Sequence, residues 1–374
     1  ADQICRSFSP RTCVPLLQGN CTQVYPEDPA IWRSDKAMLI GITAPIAQGL
    51  PDESTGVSVV NGAKLAVDQF NGNNGVEGER PLALVICDDQ GERAPAEENG
   101  RTLATVGVQA IIGPAFSGQT LDTATGQNDP TRGGTVSNNV LLISTSATSP
   151  LVTGIDDKSP ACLQACGNDN ACKDTCPGLV WRTSPSDEIQ GKALSAYFAT
   201  IESRVATRGG VTPARNPLKV FVLYKDDPYG ELLAEVIRTT LKFNGMDATL
   251  QQVSGNFAIR VYEDVDASTD GVQPDPVAIQ AALDANPDAI FLIGTGEVGN
   301  ILADIESQWA SEGLAEEDRP FYFLADGGLA NSTSEAAGAA RNRIRGSIPG
   351  TSSPNFNAFT GLYQQAFPTG EFIG

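Results

Sequence analysis

"NVLLISTSATSP", residues 139–150, is the stretch on which the fold turns. Its first half is an apolar run of strand length, of the kind buried on both faces of a parallel sheet. Its second half is a burst of hydroxyls, Ser144, Thr145, Ser146, Thr148 and Ser149, closed by the Pro150 turn signal. In open α/β sheets ligands bind beyond the carboxyl ends of the strands, so a buried strand ending on oxygens marks a candidate site.

The same unit recurs on both sides of this stretch. "AMLIGIT" (37–43), "LALVICDD" (82–89) and "VQAIIGP" (108–114) read as strands, and "VSVVNGAKLAVDQFN" (57–71), "AEENGRTLATVG" (96–107) and "TLDTATGQ" (120–127) as helices between them. Strand and helix in alternation predict a doubly wound parallel sheet. A second series follows "LVWRTSPSD" (179–187). Its expected strands are "LKVFVLYKDD" (218–227), "DATLQQV" (247–253), "DAIFLIG" (288–294) and "PFYFLAD" (320–326), with helices near 229–244, 275–285, 297–312 and 333–341. At 374 residues the chain exceeds the roughly 250–300 over which a single core keeps growing, which agrees with two lobes. The expected organisation is an N-terminal extension over 1–35, a first lobe over 36–184, a second over 185–344, and an incomplete return towards the first lobe over 345–374.

Bulk properties exclude several functions. The net charge of −20 repels nucleic acid and anionic lipid, and no apolar stretch is long enough to span a bilayer. With no Met or signal peptide ahead of Ala1, the chain reads as a processed or trimmed product. The eight cysteines, Cys5, Cys13, Cys21, Cys87, Cys162, Cys166, Cys172 and Cys176, fall mainly in two clusters. Around the turn "GNDN" (167–170) the spacing is C-x3-C-x5-C-x3-C, and two short helices over 159–178 would bring Cys162 towards Cys176 and Cys166 towards Cys172. Two nested disulfides are the expected outcome, with a four-thiolate zinc site as the rival. Disulfides place the chain in an oxidising compartment.

Four further strand ends carry polar groups. Ser117 opens a helix behind "AIIGPAF", where free amides and the positive dipole end suit a carboxylate, and Ser146 and Thr148 fit the same role. Tyr229 and Thr295 stand where strands of the second series turn into helices, and Asp326 ends its strand with a carboxylate suited to an ammonium group. Together they describe a holder for a zwitterion. Each has a plainer reading: a helix cap for the hydroxyls, an Asx turn for Asp326, packing for Tyr229. A Ser-His-Asp nucleophile is excluded because the chain has no His, and no cofactor motif is present.

Over roughly residues 36–350, "IIGPAFSGQT", "LLISTSATSP", "VWRTSPSDEIQG", "YKDDPYGELL" and "FLADGG" occur in an order that resembles the substrate-binding proteins of branched-chain amino acid ABC transporters. That resemblance implies the type I periplasmic binding protein fold, two α/β lobes closing on a central ligand cleft about a hinge. It puts the α-carboxylate and amine of a ligand at Ser117, Ser146 and Thr148, Tyr229 over the ligand, and the ammonium at Asp326. It further implies an exported, periplasmic or cell-surface monomer that is not an enzyme, carries no cofactor and hands an amino acid or related small carboxylate to a membrane permease. A sensory ectodomain of the same fold is the alternative. The chain departs from the family in having Ser146 for alanine, Gly294 and Thr295 where an aromatic is common, two cysteine clusters, and an end soon after "GSIPG". Gly294 and Thr295 predict a roomier or more polar side-chain pocket.

Overall fold

The computed structural model describes residues 3–5, 13–50, 52–208, 210, 214–263, 275–329, 331–350 and 353–368. The chain divides into one unit of Ala1–Ser184 with Thr351–Gly374 and a second of Pro185–Gly350.

The first unit is built on a six-stranded sheet in the spatial order Cys21–Tyr25, Leu82–Asp88, Met38–Ala44, Ala110–Ile112, Leu141–Ser144, Val180–Arg182. Every neighbouring pair is parallel except the first. The apolar runs are continuous because both faces of the sheet are covered. Val85, with Leu39, Ile111 and Leu142, packs under the helix Arg93–Val106, whereas Leu84 and Ile86, with Ile42, pack under Glu53–Gly72. Each such side chain contributes about 1.5–3 kcal/mol by burial, and the helical crossovers they anchor bring the carboxyl ends of the parallel strands to one edge. The loop after Ala110–Ile112 needs Gly113: its φ is +92°, and a Cβ there would lie 2.0 Å from the Thr43 carbonyl oxygen.

The second unit has a five-stranded, wholly parallel sheet in the order Phe257–Tyr262, Val220–Lys225, Ala289–Ile293, Phe321–Leu324, Ile344–Gly346. On one face Phe198, from the helix Asp187–Ala206, meets Phe291 and Phe323, with ring centroids 5.7 and 5.1 Å away. On the other, Trp309 and Ile305 cover Leu292 and Tyr322. Both sheets match the expected parallel α/β class.

Three details correct the sequence reading. The stretch "DATLQQV" is not a strand: Met246–Asp247 closes a two-residue hairpin with Lys242–Phe243 around Asn244 and Gly245, both at positive φ, and Ala248–Val253 is helical. Ala248 and Gln251 are its buried residues, three apart, while Leu250 and Val253 face solvent; the apparent alternation was one helix face. The strand lies downstream at Phe257–Tyr262. The extension over 1–35 is also more than a staple, because its Cys21–Tyr25 segment joins the main sheet as an antiparallel edge strand.

Disulfides join Cys21 to Cys87, Cys162 to Cys176 and Cys166 to Cys172. Cys13 is also disulfide-bonded, and stands opposite Cys5 in the register of the Gln3–Cys5/Cys13–Pro15 hairpin. The first bond pins the edge strand to its neighbour. The other two nest in the hairpin of Pro160–Cys166 and Asn170–Asp174, as the spacing predicts, so these sulfurs are held in bonds rather than offered as thiolates.

Candidate functional site

In the first unit, Ser117 is the opening residue of the helix Ser117–Thr125, whose N-cap Phe116 offers no side-chain acceptor. The Ser117 hydroxyl is buried, and its Oγ accepts from the amides of Thr148 and Ser149 at 3.2 and 3.1 Å. A serine hydroxyl has two acceptor sites and one proton, so with both acceptor sites filled its remaining capacity is to donate. That suits an anion. Thr148 is buried in the adjoining loop, and its Oγ1 has no hydrogen-bond partner among the described residues. Ser146 is exposed and donates to the Ala115 carbonyl at 3.0 Å.

The other hydroxyls of the burst are structural. Ser144 donates to the Pro114 carbonyl at 2.6 Å and accepts the Ala147 amide at 3.1 Å, tying the two loops together. Ser149 caps the short helix Pro150–Thr153. The hydroxyls of the two loops therefore divide into those that hold the loops together and those of Ser117 and Thr148, which retain hydrogen-bonding capacity.

In the second unit, Tyr229 lies near the start of the helix Pro228–Thr240, capped by Asp227, whose Oδ1 accepts the Gly230 amide at 2.7 Å. Its buried Oη donates to Asp326 Oδ1 at 3.1 Å and accepts the Gly327 amide at 3.3 Å. Burial first, then the charges of Asp326 and Asp187, push the phenol well above its usual range, so it remains a neutral donor. Asp326 is half-buried; its Oδ1 also takes the Gly327 amide at 3.0 Å, and Oδ2 makes no hydrogen bond among the described residues. The Asx-turn reading is met in part, and one carboxylate oxygen is left over.

Thr295 takes part in a polar network rather than standing alone. Its amide and hydroxyl both donate to Glu297, at 3.0 and 2.7 Å, and Lys225 Nζ donates to Thr295 Oγ1 at 3.4 Å. Tyr262 Oη donates to Glu297 Oε1 at 2.6 Å. Burial works to raise the Glu297 carboxyl; Lys225 and the donors from Tyr262 and Thr295 outweigh it and hold the carboxyl below its usual range. Lys225 and Tyr262 escaped the sequence reading. Lys225 was visible as a cation at a strand end in "YKDD"; Tyr262 was not, because its strand was misplaced.

The expectation of a roomier pocket at Gly294 is corrected. A Cβ at Gly294 would lie 1.9 Å from Tyr262 Oη and 2.4 Å from Glu297 Oε1. The space that an aromatic side chain would take is filled by Tyr262, from the edge strand two places away in the sheet, and by Glu297 from the same loop, so this corner is polar and full.

Two α/β units, each with polar groups gathered at the carboxyl ends of parallel strands, define a binding protein of the type I periplasmic class. The chain belongs to the periplasmic binding protein family, whose model matches residues 40–368. The Leu/Ile/Val-binding protein BraC3 of Rhizobium johnstonii is 27% identical over 188 residues, covering 47% of this chain and 46% of that protein. The Leu/Ile/Val-binding protein homolog 1 of Brucella abortus is 24% identical over 278 residues, 72% of this chain and 63% of that one. The chain thus spans between about half and two thirds of the length of these relatives. Among solved structures, the branched-chain amino acid transporter substrate-binding protein LivJ from Streptococcus pneumoniae, in complex with isoleucine, superposes with a TM-score of 0.58 at 22% identity, over 89% of this chain and 78% of that one. The leucine-binding protein LivK from Thermotoga maritima gives 0.61 at 19% identity, over 89% and 77%. A fatty acid ABC transporter substrate-binding protein from Thermomonospora curvata gives 0.60 at 14% identity, over 91% and 72%, so the fold itself does not select the ligand.

Proposed function

We propose that this chain is an exported solute-binding protein that captures an amino acid or a related small carboxylate and delivers it to the permease of an ABC transporter. The observation that carries the reading is Ser117: a buried hydroxyl at a helix N-terminus with both acceptor sites occupied, left only with a proton to give. With Thr148 and the first helix amides it makes a receptor for a carboxylate. The second unit supplies the complementary group, Asp326 Oδ2, for an ammonium, with Tyr229 held neutral beside it.

In this reading Ser117, Thr148 and Ser146 hold one end of the ligand, Asp326 and Tyr229 the other, and Thr295 with its Lys225–Glu297 partners walls the side chain. Contacts to both units stabilise a closed state, so the ligand shifts an equilibrium between open and closed forms without any chemical step. The proposed location is the periplasm or cell surface, in keeping with the disulfides. Among the described residues no helix is long and apolar enough to cross a membrane.

The test is a thermal-shift screen, after ligand has been stripped by partial unfolding and dialysis, against the amino acids and a panel of small carboxylic acids. A ligand at 100 times its Kd adds about 2.7 kcal/mol, a rise of a few degrees. Stabilisation by α-amino acids is the expected result. Stabilisation only by acids lacking an amine removes Asp326 from the site, and no response to any compound overturns the reading.

A further inference from the structure

A cavity of about 420 Å³ lies in the first unit and is made almost wholly by the N-terminal extension. It touches Thr22, Gln23, Val24 and Tyr25 in succession. Successive side chains of a strand point to opposite faces, so a cavity reached by all of them runs along the strand's edge. Cys21–Tyr25 is the outermost strand of its sheet, with Leu82–Asp88 on one side and, among the described residues, no strand on the other. The cavity therefore has main-chain donors and acceptors along one wall.

Its remaining walls are apolar at the bottom and charged at the mouth. Half-buried Leu17 and the edge of Trp32, which is 5% exposed, form the floor, with the fully buried Leu16 beneath them. Lys64, half-buried on the helix Glu53–Gly72, sits with Nζ 5.4 Å from the Tyr25 ring centroid and makes no ion pair among the described residues. Glu27 is exposed on the same cavity and is likewise without an ion pair among the described residues. Asp68, by contrast, is engaged by Tyr25 Oη at 2.6 Å. The cavity thus presents one cation, one anion, an aromatic and aliphatic floor and a strand edge, within the roughly 300–1,000 Å³ of small-ligand sites. Every lining residue except Lys64 precedes residue 40, where the match to the family begins.

We propose that this edge cavity is a binding site apart from that of the preceding section, for an apolar zwitterion: carboxylate to Lys64, ammonium to Glu27, hydrocarbon side chain on Leu17 and Trp32. A free apolar amino acid and a short apolar peptide share that chemistry, the peptide adding main-chain bonds to the strand edge. The site is independent of Ser117, Thr148 and Asp326.

The chain has three tryptophans, so a protein labelled with ¹⁵N only in tryptophan gives three indole signals, and Trp32→Phe assigns the one at this cavity. L-Leucine, L-leucyl-L-leucine and N-acetyl-L-leucine are titrated in turn. The Trp32 signal is expected to move saturably with the first two, the tighter of them identifying the source. N-Acetyl-L-leucine, and either zwitterion on Lys64→Gln or Glu27→Gln protein, should bind about tenfold or more weakly, the loss of one charge-assisted bond. The movement should persist in Thr148→Val protein, which separates it from the site of the preceding section. A Trp32 signal that is stationary with every probe, that moves equally in the charge variants, or that is lost with Thr148→Val overturns the proposal.

Discussion

Replacing Thr148 by Val and Ser117 by Ala should have opposite signatures, though both remove one hydroxyl from the same loop pair. Thr148 Oγ1 has no hydrogen-bond partner among the described residues, so Thr148→Val should leave stability within about 0.5 kcal/mol. If the hydroxyl holds a ligand carboxylate, the variant loses a hydrogen bond to a charged group, about 1.5–3 kcal/mol, and Kd rises about 10- to 150-fold. Ser117→Ala is different in kind. It leaves the amides of Thr148 and Ser149 buried without an acceptor, at about 1–3 kcal/mol each, so the unfolding free energy should fall by about 2–6 kcal/mol. Against a total of about 5–15 kcal/mol that is a severe loss. Urea unfolding of the stripped proteins measures the first quantity, and calorimetric titration with the best ligand of the thermal-shift screen measures the second. Equal destabilisation of the two variants, or unchanged affinity in Thr148→Val, would refute the division between structural and ligand-holding hydroxyls.

Other outcomes follow from particular contacts. Asp326→Asn should weaken an α-amino acid about tenfold or more while hardly altering its deaminated analogue, read by the same titrations; equal losses for both would remove the ammonium contact. Asp89 is buried behind Thr43 and Gly91, and burial raises its carboxyl to about 7 despite the bonds both residues give it. A carboxyl raised in the folded state favours folding fully below the unfolded value near 3.8 and loses that contribution as pH rises through 7. Asp89→Asn should therefore gain on the wild type between pH 4 and 8, by up to about 4 kcal/mol, and a pH-independent difference in urea midpoints would contradict it. Opening Cys21–Cys87, which spans 66 residues, should cost about 4 kcal/mol against about 2 for the six-residue span of Cys166–Cys172 when serine pairs are compared by thermal unfolding.

The doubly wound class was legible because strands such as Leu82–Asp88 and Ala289–Ile293 are apolar without interruption, which happens only where helices cover both faces. The strand ends were legible for the same reason, since hydroxyls after a buried run have no other place to go. What could not be read was how those hydroxyls are used. Ser117, Ser144 and Ser149 are alike in sequence, and only their partners across the two loops tell a cap from a donor with a spare proton. Tyr262 was hidden because its strand follows a helix that mimics alternation at "DATLQQV". The pairing of Cys21 with Cys87 was hidden because sheet order, not spacing, brings a residue of the extension beside the strand it closes on.

The hairpin of Pro160–Cys166 and Asn170–Asp174 has a consequence for anyone wishing to turn this protein into a sensor. Its two bonds close only on themselves, and its neck is already zipped, with Lys158 bridged to Gly178 and the Ser159 amide donating to the Pro177 carbonyl at 3.0 Å. The chain enters and leaves at nearly the same point, at the amino ends of the adjacent parallel strands Leu141–Ser144 and Val180–Arg182, where the Ser159 hydroxyl donates to Asn139 Oδ1 at 2.6 Å; at their carboxyl ends lie the Ser146–Thr148 loop and Arg182, whose guanidinium bonds the Thr148 and Ser149 carbonyls. A fluorescent domain spliced in place of this module would be carried on a short, closed stalk rooted at the amino ends of these strands, one strand length from the Ser146–Thr148 loop. The position joins tolerance of a large cargo to a direct connection, through two short paired strands, with the loop whose movement it should report.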